Sequence, residues 1–196
     1  MKRLLGVLGG AAVAIVLAVP AEASLINYAQ GKPVTTTGVE GVMVSALWLP
    51  GPLAPLSSIV DGVFLPETSV WQTNTVWWDE ANAGSFDNII EIDLQGNFSI
   101  DKLILQADNN ESYLISYRDW GGTWIDFGGF GPIFPGFGMM TRVIGDVTLQ
   151  ASAFRINASG GDGLYSVSEF QAVPEPGLLA LLGIGVAGAI RRRVRA

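Results

Sequence analysis

The chain has 196 residues, with 11 basic and 18 acidic side chains, no cysteine and no histidine. Without cysteine the fold has no disulfide staples. Without histidine it lacks the usual general base and the commonest zinc ligand, which excludes Ser-His-Asp and Cys-His chemistry.

The pattern begins with a positive start, Met1-Lys2-Arg3, followed over residues 4–19 by an uncharged run of Leu, Val, Ala, Gly and Ile that Pro20 ends. Ala21-Glu22-Ala23 then places small residues where a signal peptidase must accept them. The order predicts a secretory signal over 1–23, cleaved between Ala23 and Ser24, in preference to a buried N-terminal helix. From 24 to 173, five basic residues meet 16 acidic ones, a net charge of −11. That balance argues against nucleic acid, or an anionic polymer, as a partner held by charge alone. It is compatible with a divalent cation.

The middle reads as strands. A Pro-rich loop over 49–55 comes first. Ile90, Ile92 and Leu94 alternate with Glu91 and Asp93, the pattern of a half-buried strand, and Gly96-Asn97 predicts a turn after it. Leu103 and Leu105 mark the next strand, Tyr113, Ile115 and Tyr117 another, Phe154 and Ile156 another, and Tyr165 with Val167 the last. Turn clusters lie at 108–110, 119–122 and 159–163, and residues 128–138 read as a loop carrying Phe130, Phe134 and Phe137. No helical stripe interrupts this. The expectation is one all-β domain over 24–172, a jelly-roll β-sandwich or related barrel.

The tail, 173–196, holds Pro174-Glu175-Pro176, an apolar stretch of 14 residues over 177–190, and Arg191, Arg192, Arg193 and Arg195. The stretch is shorter than the ~20 residues that cross a bilayer untilted, and arginines can snorkel to extend its reach. A basic cluster beside an apolar helix stays cytoplasmic, which leaves the body outside the membrane. These three parts in order resemble the PEP-CTERM sorting signal. The resemblance implies recognition by an exosortase, cleavage near the Pro-Glu-Pro motif, and a host that makes exopolysaccharide. The expected route is a membrane-anchored precursor, then the cell surface or extracellular matrix.

Five segments of the middle carry a second resemblance: INYAQGKPVTTTG from Ile26, SSIVDGVF from Ser57, IIEIDLQGNFSIDKLILQAD, YLISYRDWGGTW and FRINASGGDGLYSVSEFQ. Together they resemble the discoidin, or coagulation factor 5/8 type C, family of galactose-binding-like domains. That family implies a jelly-roll sandwich whose loops bind sugars, lipid headgroups or proteins, mostly without catalysis. It also implies a structural calcium ion, whose ligands map here onto Asp61, Ser69 (or Thr68) ahead of Trp71, and Glu169.

Tryptophans supply the sugar candidates, because apolar sugar faces stack on indoles while nearby polar groups bind hydroxyls. Trp77 and Trp78, followed by Asp79, Glu80 and Asn82, form the expected surface, with Trp78 outward and Trp71 and Trp124 in the core. Arg118 beside Asp119 is the next polar candidate, although a hairpin ion pair also explains it. Three functions stay open: a carbohydrate-binding protein, a structural or adhesion protein of the matrix using the phenylalanine loop, and a glycoside hydrolase using two of Asp79, Glu80 and Asp87.

Overall fold

A computed structural model describes residues 26–43, 49–80 and 88–174. The signal segment with Ala23 and Ser24, and the sorting residues Glu175, Pro176, Arg191, Arg192 and Arg193, lie outside the described residues. Two antiparallel sheets make up the rest, as the sequence predicts. One contains β1 (Val34–Thr36), β3 (Ile89–Ile100), β8 (Leu149–Ser159), β5 (Ser112–Arg118) and β6 (Trp124–Phe130), in that spatial order. The other contains β2 (Val76–Asp79), β9 (Leu164–Val173), β4 (Lys102–Asp108) and β7 (Met139–Ile144), again in that order. Consecutive strands such as β3 and β4 cross between the sheets, which is the jelly-roll arrangement. Among the described residues no helix is long and apolar enough to cross a membrane.

Period-2 alternation builds the core. Ile90, Ile92 and Leu94 of β3 face inward, while Glu91 and Asp93 of the same strand stay partly exposed. They meet Tyr165, Val167, Phe170 and Ala172 from β9 in one continuous cluster. Phe154 and Phe170 bridge the sheets with ring centroids 5.2 Å apart. The core cluster runs from Ala29 to Ala172, and among the described residues every strand lies between 34 and 173.

β9 is buried on both faces, a feature its short alternation does not announce. A segment running before β2 covers the outer face of the four-stranded sheet. Gln106 of β4 clamps it through both ends of its amide, accepting from the Leu65 N–H and donating to the Leu65 carbonyl, each at 2.8 Å. Further along, Met139 N–H donates to the Ser69 carbonyl at 2.9 Å. Under this strap Trp71, Trp77, Met139 and Leu164 form a second apolar cluster.

Two sequence expectations change. Gly96-Asn97 does not reverse the chain, because β3 continues to Ile100 through a bulge between Asp93 and Phe98, with Gln95 at φ 57°. The bulge accommodates the polar residues without ending the pairing with β8, and Phe98 stacks on Tyr28 at 4.3 Å. The predicted loop over 128–138 shortens to 131–138, because β6 pairs with β5 up to Phe130. Phe130 is buried, whereas Phe134 and Phe137 remain 70% and 53% exposed.

Candidate functional site

Burial corrects the expectation of an exposed indole at position 78. Trp78 points into the main core, 5.7 Å from the Tyr165 ring. Trp77 takes the opposite face, as strand geometry demands, but there it meets Trp71 edge-on at 6.0 Å beneath the strap. Asp79 is buried at the end of β2 opposite Leu164. Glu80 accepts a hydrogen bond from the Tyr165 hydroxyl at 2.9 Å. Asn82 and Asp87 lie outside the described residues.

Of the calcium candidates, the fold brings two together. Glu169 Oε2 accepts from the Gly62 N–H at 3.2 Å, next to Asp61 in the turn. Glu169 Oε1 accepts from Gln171 at 3.1 Å. Burial, reinforced by the charge of Asp61, pushes the Glu169 carboxyl up to about 7. The pair thus joins a buried carboxylate, Glu169, to an exposed one, Asp61, at the turn. Ser69 takes no part in that pair: its hydroxyl donates to the Pro66 carbonyl at 2.6 Å, in the turn that docks on Met139. Among the described residues no group of three or more acidic side chains is arranged to hold a metal ion.

Trp124, expected in the core, instead stands half-buried on the outer face of the five-stranded sheet. Register explains what surrounds it. Arg118 lies opposite Trp124, while Ser116 lies opposite both Asp126 and Arg155, and Leu114 opposite Asn157. These residues all project from the same face. Beside Trp124 they line a groove of about 430 Å³ with Leu114, Ser116, Asp126, Arg155 and Asn157 on its walls.

The groove exists because β6 withholds side chains from it. After a bulge opposite Ile115 and Ser116, Gly128 and Gly129 face β5 with nothing to cover the sheet. Gly129 is obligatory there, since an added Cβ would sit 2.5 Å from the Tyr113 carbonyl oxygen. Gly129→Ala is expected to push β6 off β5 and to lower stability by about 1–3 kcal/mol, the range for overpacking. Urea unfolding of the variant checks this.

The groove has both apolar and hydrogen-bonding walls. The Arg155 guanidinium lies 3.8 Å from the centre of the Trp124 ring, and Glu91 holds it at 3.0 Å. Arg118 reaches the same ring at 5.8 Å, donates to Ser152 at 3.0 Å and pairs with Asp93 at 3.3 Å. The hairpin ion pair foreseen for Arg118 thus runs to Asp93 across the sheet. Ser116 donates to Asp126 at 2.8 Å, which leaves the second carboxylate oxygen of Asp126 for other donors. Each guanidinium is matched by a carboxylate, so the site carries little net charge.

A different cluster occupies the end of the sandwich where β4 turns into β5. Asp108 and Glu111 are buried there, and Asp162 approaches from the exposed β8–β9 turn. Burial comes first among the causes that push Asp108 up to about 6 and Glu111 up to about 9, and the neighbouring carboxylates add to it. No sequence signal marks Glu111, which reads as an ordinary polar turn residue.

Comparison with known proteins supports the fold and the tail. The PEP-CTERM protein-sorting motif model matches residues 172–194. No curated protein matches the chain. Among solved structures, the Clostridium perfringens module CpGH89CBM32-5, in complex with GalNAc-β-1,3-galactose, aligns at a TM-score of 0.53. That match has 15% identity and covers 76% of this chain and 99% of the module. A Streptococcus pneumoniae fucose binding module aligns at 0.53 with 12% identity, covering 79% and 99%. The family 32 module of C. perfringens NanJ, in complex with galactose, aligns at 0.53 with 14% identity, covering 76% and 96%. The chain spans only 28% of the length of another match, SpGH29. The chain therefore carries a PEP-CTERM sorting motif behind a jelly-roll sandwich that shares the fold of these modules.

Proposed function

We propose that this is an exported, non-catalytic carbohydrate-binding protein, sorted by an exosortase through its PEP-CTERM tail into an exopolysaccharide matrix. The observation that carries the sugar reading is the sheet-face groove. Trp124 and Leu114 offer apolar surface there, while Ser116, Asp126, Asn157 and Arg155 offer donors and acceptors. That is the mixture a pyranose needs: C–H faces against an indole, and hydroxyls against fixed polar groups. Arg118 supports the Trp124 end. The matched charges of the groove, and the −11 balance of the segment from 24 to 173, favour a neutral sugar over a polyanion. The bound sugars of the similar modules from C. perfringens are also uncharged. Calcium belongs to this proposal as a structural ion held by Asp61 and Glu169, tying the Gly62 turn to β9.

The test is a glycan array followed by calorimetric titration, using segment 24–174 with calcium and with chelator. Trp124→Ala is expected to weaken binding to the recognised sugar at least tenfold and to leave the unfolding midpoint within a few degrees, since its indole is half-buried. Unchanged affinity in that variant would move the sugar elsewhere on the protein. The exposure of Phe134 and Phe137 favours a second reading, adhesion to a protein of the matrix. A folded wild-type protein that binds no sugar but retains a matrix protein, and loses it in Phe134→Ser, would support that reading instead.

A further inference from the structure

Exposed apolar surface does not stop at the groove. The turn between β5 and β6 carries Trp120, which is 63% exposed and belongs to neither core cluster. A single exposed apolar residue needs no explanation. This one continues a row.

Leu114, Trp124 and Trp120 follow one another along the β5–β6 hairpin. Leu114 is 51% exposed and lies four residues before Arg118, the cross-strand partner of Trp124. At about 3.3 Å per residue, the backbone rises about 13 Å between the Leu114 and Trp124 levels, and Trp120 follows beyond them at the hairpin tip. A six-membered ring of ~1.5 Å bonds, with a hydroxyl oxygen at each end, measures only about 6 Å. One sugar is therefore short for this row. Ser116 and Asp126 stand between Leu114 and Trp124 on the groove walls, so apolar and hydrogen-bonding surface alternate along it. The groove's volume of about 430 Å³ also exceeds what one such ring fills.

The tip that bears Trp120 is fixed. Asp119 N–H donates to the Thr123 carbonyl at 2.9 Å, and Thr123 N–H donates to Asp119 Oδ1 at 2.8 Å. Gly122 N–H closes the turn on the Asp119 carbonyl at 3.1 Å, with Gly122 at φ 86°, where a side chain is strained. Backbone held in this way has less freedom to lose when a ligand packs on it. The other end of the row is open. Gly128 and Gly129 raise no side chains there, and β6 is the last strand of its sheet.

We propose that Trp120 extends the groove into a strip for an unbranched neutral glycan, with successive sugars at Leu114, Trp124 and Trp120. This rests on the sugar reading of the groove and narrows its ligand to the interior of a chain several sugars long. Stacking and hydrogen bonding suffice, so no bond is made or broken.

The test uses the full-length chain in detergent, titrated calorimetrically with oligomers of glucose, galactose and N-acetylglucosamine, one to six units each. Affinity in the ladder that binds is expected to rise at least tenfold from one unit to four. Trp120→Ala should weaken binding of the hexamer at least fivefold and reduce the gain with length, with the unfolding midpoint unchanged. Trp120→Phe, which keeps a ring, should restore most of the loss. Val143→Ala removes an exposed apolar side chain from the other sheet and should bind the hexamer as the wild type does. Wild-type affinity independent of length would overturn the extended strip and leave the sugar reading standing. So would a Trp120→Ala variant that binds the hexamer as the wild type does. A wild type that binds no member of any ladder would sink the strip together with the sugar reading.

Discussion

Trp78→Ala is expected to lower the stability of the domain by about 3–5 kcal/mol, the range for truncating a large buried aromatic. The indole is 3% exposed and sits among core residues of both sheets, against the Tyr165 ring. Little backbone relaxation can refill so large a space, since β2 is pinned to β9 at four successive positions. Urea denaturation followed by circular dichroism should show the midpoint falling steeply. Trp124→Ala, taken through the same experiment, should move it little. The pair separates an indole that holds the fold from one that faces a ligand. Equal losses in the two variants would contradict the assignment of Trp124 to a surface site.

Glu111→Gln is expected to stabilise the protein in chelator at neutral and alkaline pH, and to flatten its stability profile there. The Glu111 carboxyl has its pKa raised from an ordinary value of 4.5 to about 9, with burial the leading cause. For an acid raised on folding, the favourable contribution is complete below the unfolded value. It is lost as pH rises toward the folded one. The window therefore runs from about 4.5 to 9, and Asp108, raised to about 6, adds the same sign in the lower part of it. At pH 7 the loss from Glu111 is on the order of 3 kcal/mol, at 1.36 kcal/mol per unit. Glutamine has the same shape, carries no charge and can donate to the Asp108 and Asp162 carboxylates. Thermal unfolding between pH 5 and pH 9 measures this. A wild type whose melting temperature holds constant across that range, in chelator, would refute it.

These two residues also show how far the sequence could be read. Strands β3, β4, β5, β8 and β9 were legible because their apolar residues alternate or cluster between turn signals, and one sheet face must be apolar. β2 and β7 were not. VWWD and MMTRVI are apolar on both faces or on neither, so period alone assigns them no side. Trp78 reads as a stacking surface only if one face of β2 meets solvent. The strap removes that face, and the contact that fixes it, Gln106 with Leu65, joins residues 41 apart in the chain.

What the sequence determined by itself is local in origin: a sorting tail written in charge and hydropathy, an all-β body, and the absence of histidine and cysteine chemistry. Tertiary structure decided which aromatic faces water and which carboxylates meet. Trp124 reaches the surface because Gly128 and Gly129, on the bulged strand beside β5, leave the sheet face bare. Glu111 meets Asp108 and Asp162 because turns some fifty residues apart fold over the same end of the sandwich. Both outcomes depend on register and on the packing of distant segments, which carry no periodic signal in the chain.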